Sequence, residues 1–153
     1  NYLKRYMQNK TDQGEYEFGK LLFLPMCYLY RNCIELNLKN IWFKYSEESC
    51  QSKYKYMLEY KHSIFKMWDK IKKHLIGNAD SFIEDIENYC LQVHTFDNDA
   101  NKFRYPMSNS MQKYFSQNKR FDFMETGDFF ESLNNSLSCI YYELNAFNEI
   151  KRN

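Results

Sequence analysis

The composition of this 153-residue chain excludes several structural classes before any motif is considered. Tyr, Phe and Trp make up 19 % of the residues, whereas four Gly and two Pro are the only strong turn formers. A β-sandwich or β-barrel needs many turns and many β-branched residues, and this chain has few of either. With 44 % apolar and 27 % charged residues, it also lies outside the composition of disordered proteins. We therefore predict a single all-α domain with an aromatic core.

The net charge of +1 conceals an uneven distribution of charge along the chain. Residues 1–76 carry a net charge of +6, and residues 77–153 carry a net charge of −5. One interpretation is a basic face that binds phosphate groups, which would favour RNA or a nucleotide as the ligand. The other, simpler interpretation is that two oppositely charged halves attract each other within one domain.

The number and spacing of the cysteines and the shortness of the apolar runs predict the cellular compartment of the protein. The five cysteines are odd in number and show no C-x-x-C spacing, so neither a disulfide framework nor a zinc cluster is expected. Apolar runs such as Leu21 to Leu24, which ends before Pro25, are far shorter than the roughly 18 residues that a membrane-spanning helix needs. No signal peptide is recognisable either. We expect a cytoplasmic protein with reduced thiols and no membrane segment.

Hydrophobic periodicity predicts four main helices, at about residues 15–45, 63–76, 81–94 and 127–150. Pro25 lies inside the first of these patterns and is expected either to kink the helix or to restart it. Residues 1–14 are interpreted as a polar lead-in to a single domain that spans residues 15–153. The predicted architecture is a helical bundle.

Two connections join these predicted helices. Residues 46–61 show no clear period and are interpreted as a connection without assigned structure. Residues 95–125 form a connection much longer than the usual helix–helix loop of about 2–8 residues. Within it, the alternation of Phe121, Asp122 and Phe123 suggests a short strand, and residues 103–123 are a candidate short hairpin.

The first candidate site is a polar group in the middle of the first predicted helix. Arg31, Asn32 and Glu35 interrupt an otherwise apolar pattern. Arg31 offers a forked guanidinium to a phosphate group, with Asn32 beside it in a groove between helices. The alternative is structural, because Arg31, Glu35 and Lys39 recur every four residues and can form a ladder of ion pairs on one solvated helix face.

The second candidate site is the helix that begins near residue 63. His62 stands at its start, where the positive end of the helix dipole favours a neutral imidazole that can accept a proton. Lys66, Lys70 and Lys73 form a basic edge opposite the apolar stripe, and this edge is a candidate phosphate-binding surface. The alternative is an ordinary solvated helix face.

The third candidate site lies in the long connection. Asp97, Asp99 and Asn101 resemble the opening of a calcium-binding loop, but Lys102 stands where that loop needs glycine. We expect instead that Asp99 and Arg104 form a charge-assisted pair that anchors this loop to the helices. The three histidines are too widely spaced for a preformed metal site, and neither a metal nor a cofactor is expected.

These candidate sites, in this order, carry a resemblance to the HEPN-like helical superfamily (higher eukaryotes and prokaryotes nucleotide-binding). The matching segments are Leu29 to Lys39, His62 to Trp68 and Phe103 to Pro106, and the resemblance covers about residues 20–145. It implies a helical domain. Many members are bacterial, metal-independent ribonucleases of toxin–antitoxin and phage-defence systems, in which an Arg followed four to six residues later by His is completed across a dimer.

This chain departs from that family at the active site, because residues 35–38 contain no histidine to follow Arg31. We therefore expect a non-catalytic or divergent HEPN-like domain that binds RNA or a nucleotide, or that regulates a partner protein. One alternative is a metal-independent endoribonuclease with a rearranged site of Arg31 and His62. The other is a structural module that forms a homodimer through exposed aromatic side chains. An open, convergent pair of these two residues favours chemistry, and a sealed, fully paired cluster favours architecture.

Overall fold

The computed structural model describes residues 13–73, 75, 80–97, 100–105, 107–115 and 122–152. The described residues form helices and no named strand: α1 (Gln13–Tyr45), α2 (Cys50–Tyr60), α3 (Ile64–Lys72), α4 (Asp80–Asp97) and α5 (Phe123–Arg152). The prediction of an all-α fold is therefore confirmed. Most of the predicted lead-in, residues 1–12, lies outside the described residues.

The two longest helices, α1 and α5, pack against each other along the apolar stripes that the sequence predicts. Their buried positions recur every three or four residues and include Ile34, Leu38 and Ile41 in α1 and Leu133, Leu137 and Ile140 in α5. Pro25 lies inside α1 without restarting it. Met26 and Cys27 follow the proline and are buried, and their packing helps to hold the helical course across the missing N–H donor.

A short helix, α2, occupies most of residues 46–61, where we predicted only a connection. The Ser49 hydroxyl accepts a hydrogen bond from the backbone N–H of Ser52 (3.2 Å) and so caps the start of the helix. The buried positions of α2 are Lys53 and Tyr56. The sequence left this helix unassigned, because a helix that is anchored by polar side chains does not produce an apolar period.

Both buried side chains of α2 end in a hydrogen bond to the backbone of a neighbouring helix. The Lys53 ammonium donates to the carbonyl of Phe43 (2.8 Å) in the last turn of α1, where a cation also complements the helix dipole. The Tyr56 hydroxyl donates to the carbonyl of Lys66 (2.9 Å) in α3. These two bonds position α2 against the ends of its neighbours.

The remaining core comes from α3 and α4, which pack against each other, while α3 also packs on α1 and α4 on α5. The four buried side chains of α3 are Ile64, Met67, Trp68 and Ile71. α4 ends at Asp97, three residues beyond the predicted end near His94. This extra turn brings the carbonyl and the carboxylate of Asp97 to the inner face of α1.

The start of α5 corrects the strand that we predicted around Asp122. The Asp122 carboxylate accepts hydrogen bonds from the backbone N–H groups of Met124 (2.8 Å) and Glu125 (2.9 Å), which is the geometry of an N-cap. The helix therefore begins at Phe123 and runs through Gly127, the predicted start. Alternating phenylalanines around an aspartate fit a capped helix as well as they fit a strand.

The candidate hairpin in residues 103–123 is reduced, over the part that the structure describes, to one antiparallel bridge. It joins Met107 and Lys113. The backbone N–H of Ser108 donates to the carbonyl of Gln112 (2.8 Å) and closes this small loop. Among the described helices, none is both long enough and apolar enough to cross a lipid bilayer.

Candidate functional site

Arg31 lies inside the protein, in a cluster of charged side chains between α1, the start of α3 and the end of α4. Its side chain is 2 % exposed. Nη1 donates to the Glu35 carboxylate (2.9 Å), Nη2 to the backbone carbonyl of His62, and Nε to the backbone carbonyl of Asp97 (3.2 Å). A buried arginine needs pairing this complete, because an uncompensated guanidinium is strongly unfavourable inside a protein. The guanidinium thus holds three segments of the chain together.

Glu35 is the carboxylate on which the positive groups of this cluster converge. Oε2 accepts from Arg31, while Oε1 pairs with the Lys39 ammonium and lies 3.1 Å from Nδ1 of His62. Burial alone would raise the pKa of the Glu35 carboxyl group, but the hydrogen bonds from Lys39, Arg31 and His62 outweigh it and hold the pKa below its ordinary value. Glu35 is therefore charged at neutral pH.

His62 is the member of the cluster that solvent reaches most easily. Its side chain is 49 % exposed, against 4 % for Glu35. When Nδ1 donates to Glu35, Nε2 is the ring nitrogen that can exchange a proton with a ligand. The structure therefore brings Arg31 and His62 together through Glu35, with the imidazole at the surface and the guanidinium enclosed. A phosphate could reach the guanidinium only after the cluster opened.

Asp97 completes the cluster, although the sequence indicated it only as part of an incomplete calcium-loop pattern. Its side chain is 1 % exposed, and Oδ2 lies 3.5 Å from Nε of Arg31. Oδ1 accepts hydrogen bonds from the backbone N–H groups of Asn101 and Lys102 (2.9 Å each). Asp97 thus anchors the loop, which is the role predicted for Asp99, a residue outside the described ones. The spacing of acidic residues pointed to this loop but not to the carboxylate that faces inward.

Arg104, the other predicted loop anchor, fastens the same loop to α1. Nη2 donates to the hydroxyl of Tyr28 (3.2 Å), and the guanidinium carbon lies 5.0 Å from the centre of the Tyr28 ring. An arginine over an aromatic face gains a cation–π attraction in addition to the hydrogen bond. Asn32 is half-buried and lies about 100° around α1 from Arg31, so the two side chains leave the helix in different directions.

The basic edge on α3 is largely balanced by carboxylates. Nζ of Lys70 lies 3.1 Å from the Glu48 carboxylate, and Nζ of Lys73 lies 3.0 Å from the Asp69 carboxylate. Lys66 is exposed on the same helix. Carboxylates beside two of the three ammonium groups weaken the field that a polyanion would meet at this edge. RNA binding through these lysines stays a prediction.

Ion pairs inside the domain link the basic half of the chain, residues 1–76, to the acidic half, residues 77–153. Arg31 meets Asp97 across the halves, and Nζ of Lys72 lies 2.7 Å from the Glu87 carboxylate. These pairs support the interpretation in which the halves attract each other.

The two buried thiols are poor nucleophiles, and no metal cluster is found in the described residues. Burial raises the pKa of the Cys27 thiol to about 12, and burial also raises the pKa of Cys90. Both thiols therefore stay protonated, and a protonated thiol is a weak nucleophile. Across the described ranges, no group of three or more His, Cys, Asp or Glu side chains is arranged to hold a metal ion.

A second surface feature lies on the outward face of α1. Leu29, Leu36 and Phe43 are exposed there at intervals of seven residues, so they follow one line along the helix. The exposed positions from 25 to 43 are all uncharged: Pro25, Leu29, Cys33, Leu36, Asn40 and Phe43. A solvated helix face normally carries charged residues, whereas a continuous apolar face is typical of an interaction surface.

Comparison with family models, with curated proteins and with solved structures finds no match to this chain.

Proposed function

We propose that this chain is a non-catalytic, HEPN-like domain of the bacterial cytosol that acts by pairing with a second copy of itself through the outward face of α1. The observation that carries the proposal is the uncharged stripe of Leu29, Leu36 and Phe43. A cytosolic location is supported by the cysteines, all five of which are free. A role in phage-defence or toxin–antitoxin systems follows from the sequence resemblance.

The stripe suits a second copy because it is symmetric about Leu36. In an antiparallel pair of α1 helices related by a twofold axis, Leu36 meets Leu36 of the second copy, and Leu29 meets Phe43 of the second copy. The three positions span about 21 Å of helix, at a rise of about 1.5 Å per residue. Because the exposed positions between residues 25 and 43 are uncharged, no like charges are brought together along this line.

The buried cluster supports this surface from the opposite side of the same helix. Arg31 and Glu35 fix the middle of α1 to the start of α3 and the end of α4. A helix that is held on its inner face presents its outer face in one position, and such preorganisation lowers the entropy cost of association. The cluster is therefore assigned an architectural role.

The proposal is tested by placing a charge on the symmetry axis. Leu36→Glu puts two carboxylates opposite each other, and we expect the dimer dissociation constant to rise by at least about 30-fold. The matched control is Leu58→Glu on α2, because Leu58 is 57 % exposed and Leu36 is 56 % exposed. Sedimentation velocity over a range of micromolar concentrations measures both variants and the unchanged protein.

Two results would contradict the proposal. One is an unchanged protein that sediments as a monomer at every concentration tested. The other is a dimer that Leu36→Glu and Leu58→Glu weaken equally, since this would place the interface elsewhere.

A second function, metal-independent RNA cleavage, is favoured by the pairing of His62 with Glu35. A carboxylate that holds Nδ1 leaves Nε2 to take the proton from a ribose 2′-hydroxyl. The 2′-oxygen then attacks the adjacent phosphorus and the 5′-oxygen leaves with a proton from water, which gives a 2′,3′-cyclic phosphate. In this function Arg31 is a positioning residue, because its nitrogens are bonded inside the protein.

Cleavage is measured on single-stranded RNA with EDTA present. If His62 is the base, His62→Ala lowers the cleavage rate by about 100-fold or more, while Lys55→Ala, an exposed change on α2, leaves it unaltered. Products that end in a cyclic phosphate identify the reaction. An RNA that stays intact at high protein concentration rules this function out.

A further inference from the structure

A cavity of about 330 Å³ lies away from the charged cluster, between α1, α4, the loop that follows α4 and the first turns of α5. Five phenylalanines contribute to its wall: Phe23, Phe96, Phe103, Phe129 and Phe130. Its volume is at the lower end of the range of about 300–1,000 Å³ that small-molecule sites occupy. The cavity is partly open to solvent, so a ligand can enter without unfolding the domain.

The aromatic wall is held in place by ring contacts with the surrounding core. Phe129 meets Phe130 edge to face, with ring centres 5.3 Å apart, and meets Tyr89 at 4.9 Å. Phe130 in turn stacks on Tyr30, with ring centres 5.4 Å apart. Such contacts stabilise the positions of the rings, so the cavity is formed before a ligand arrives.

The charged and polar side chains in the cavity wall indicate which apolar ligands fit best. Among the described residues that line the cavity, Glu125 alone is charged, and Gln92 and Thr126 supply the other polar side chains. Glu125 lies in the first turn of α5, lines the cavity and is exposed to solvent. Aromatic rings and a carboxylate both attract cations, and neither attracts an anion.

We propose that this cavity binds a small organic amine whose body is aromatic or branched aliphatic and whose ammonium group pairs with Glu125. The phenylalanine rings bury the apolar body, and the solvent-exposed carboxylate of Glu125 fixes its orientation. The site does not rest on self-association, because the cavity uses α1 near Phe23 and Cys27, whereas the proposed interface runs along a different face of that helix. Cys27 contributes only packing, since its thiol stays protonated.

Three probes that share one ring system test the proposal: 1-naphthylmethylamine, 1-naphthalenemethanol and 1-naphthoate. Titration calorimetry of the full chain should give the tightest binding for the amine, about tenfold weaker binding for the alcohol and the weakest for the carboxylate. Glu125→Gln should remove the difference between amine and alcohol. Glu143→Gln, an exposed change on α5 away from the cavity, should preserve it.

The location is tested separately from the charge preference. Thr126→Trp fills the cavity and should abolish binding of all three probes, while circular dichroism checks that the helices persist. In the unchanged protein, nuclear magnetic resonance shifts caused by the amine should concentrate at Val93, Thr126 and the neighbouring phenylalanines. Absence of binding, a preference that survives Glu125→Gln, or shifts centred elsewhere would each overturn the proposal.

Discussion

Replacing Arg31 with methionine is expected to lower the free energy of unfolding by about 3–5 kcal/mol. Methionine retains much of the apolar volume of the side chain but leaves the buried Glu35 and Asp97 carboxylates without their shared cation. It also leaves the carbonyl groups of His62 and Asp97 without this donor. A domain of this size has a total stability of about 5–15 kcal/mol, so the loss is a large share of it. Urea unfolding at pH 7, followed by circular dichroism, measures the change.

Arg104→Met is the control, because Arg104 is an exposed arginine that bonds to Tyr28 at the surface. Its effect should stay within about 1 kcal/mol. The double change Arg31→Met with Glu35→Met should cost less than the sum of the two single changes, since it removes two charges that face each other. If Arg31→Met and Arg104→Met lowered the free energy of unfolding by similarly small amounts, the buried guanidinium of Arg31 would not be what holds the three segments together.

The second large effect is expected at Glu35, both on mutation and on acidification. Glu35→Gln removes the carboxylate that Arg31, Lys39 and His62 share, and we expect a loss of about 3–5 kcal/mol at pH 7. The pKa of Glu35 in the folded protein is below its ordinary value because the bonds from its partners outweigh the effect of burial. The folded state therefore holds the deprotonated form more tightly than the unfolded state does.

This direction fixes how stability changes with pH. The contribution of Glu35 is fully present above the ordinary pKa of a glutamate, about 4.3, and is lost as the pH falls through the lower pKa of the folded state. Urea unfolding between pH 7 and pH 3 should therefore show a loss of stability in the unchanged protein that is smaller in Glu35→Gln. Glu84→Gln, an exposed change on α4, should follow the unchanged protein. Parallel curves for Glu35→Gln and the unchanged protein would contradict this account.

Most of the helices could be predicted because their buried side chains are aliphatic or aromatic and recur with the helical period. α1, α3, α4 and α5 all satisfy this condition. α2 does not, because its inner face consists of Lys53 and Tyr56, whose apolar stems are buried while their polar tips bond to the backbone. The pattern of polar and apolar residues therefore does not predict this helix.

The candidate site could be predicted only where local spacing determines it. The four-residue interval from Arg31 to Glu35 to Lys39 predicts the ion-pair ladder, and the structure shows both pairs. Spacing does not tell which side of a helix faces the core, so the enclosure of Arg31 was not predicted. The contact with Asp97 joins residues 66 positions apart, and nothing in the local sequence indicates that distance in the fold.

The seven-residue line of Leu29, Leu36 and Phe43 is not evident from the sequence, because it is embedded in a helix with apolar residues on several faces. Its meaning depends on which face is exposed, and only the packing of the other helices settles that. The prediction of partner contacts through exposed aromatic side chains therefore stays a prediction. The exposed side chains on which this prediction now rests are two leucines and one phenylalanine.

Arg31 donates to the main-chain carbonyls at positions 62 and 97. These contacts that hold the fold together therefore do not depend on which side chain stands at position 62. Every amino acid has that carbonyl, so a substitution at position 62 leaves the acceptor for Arg31 in place. A descendant of this chain can exchange its imidazole for an amide or a hydroxyl, or recover it later, in one mutational step and without rebuilding the scaffold. The imidazole at position 62 can therefore be lost and regained during evolution while the fold is kept.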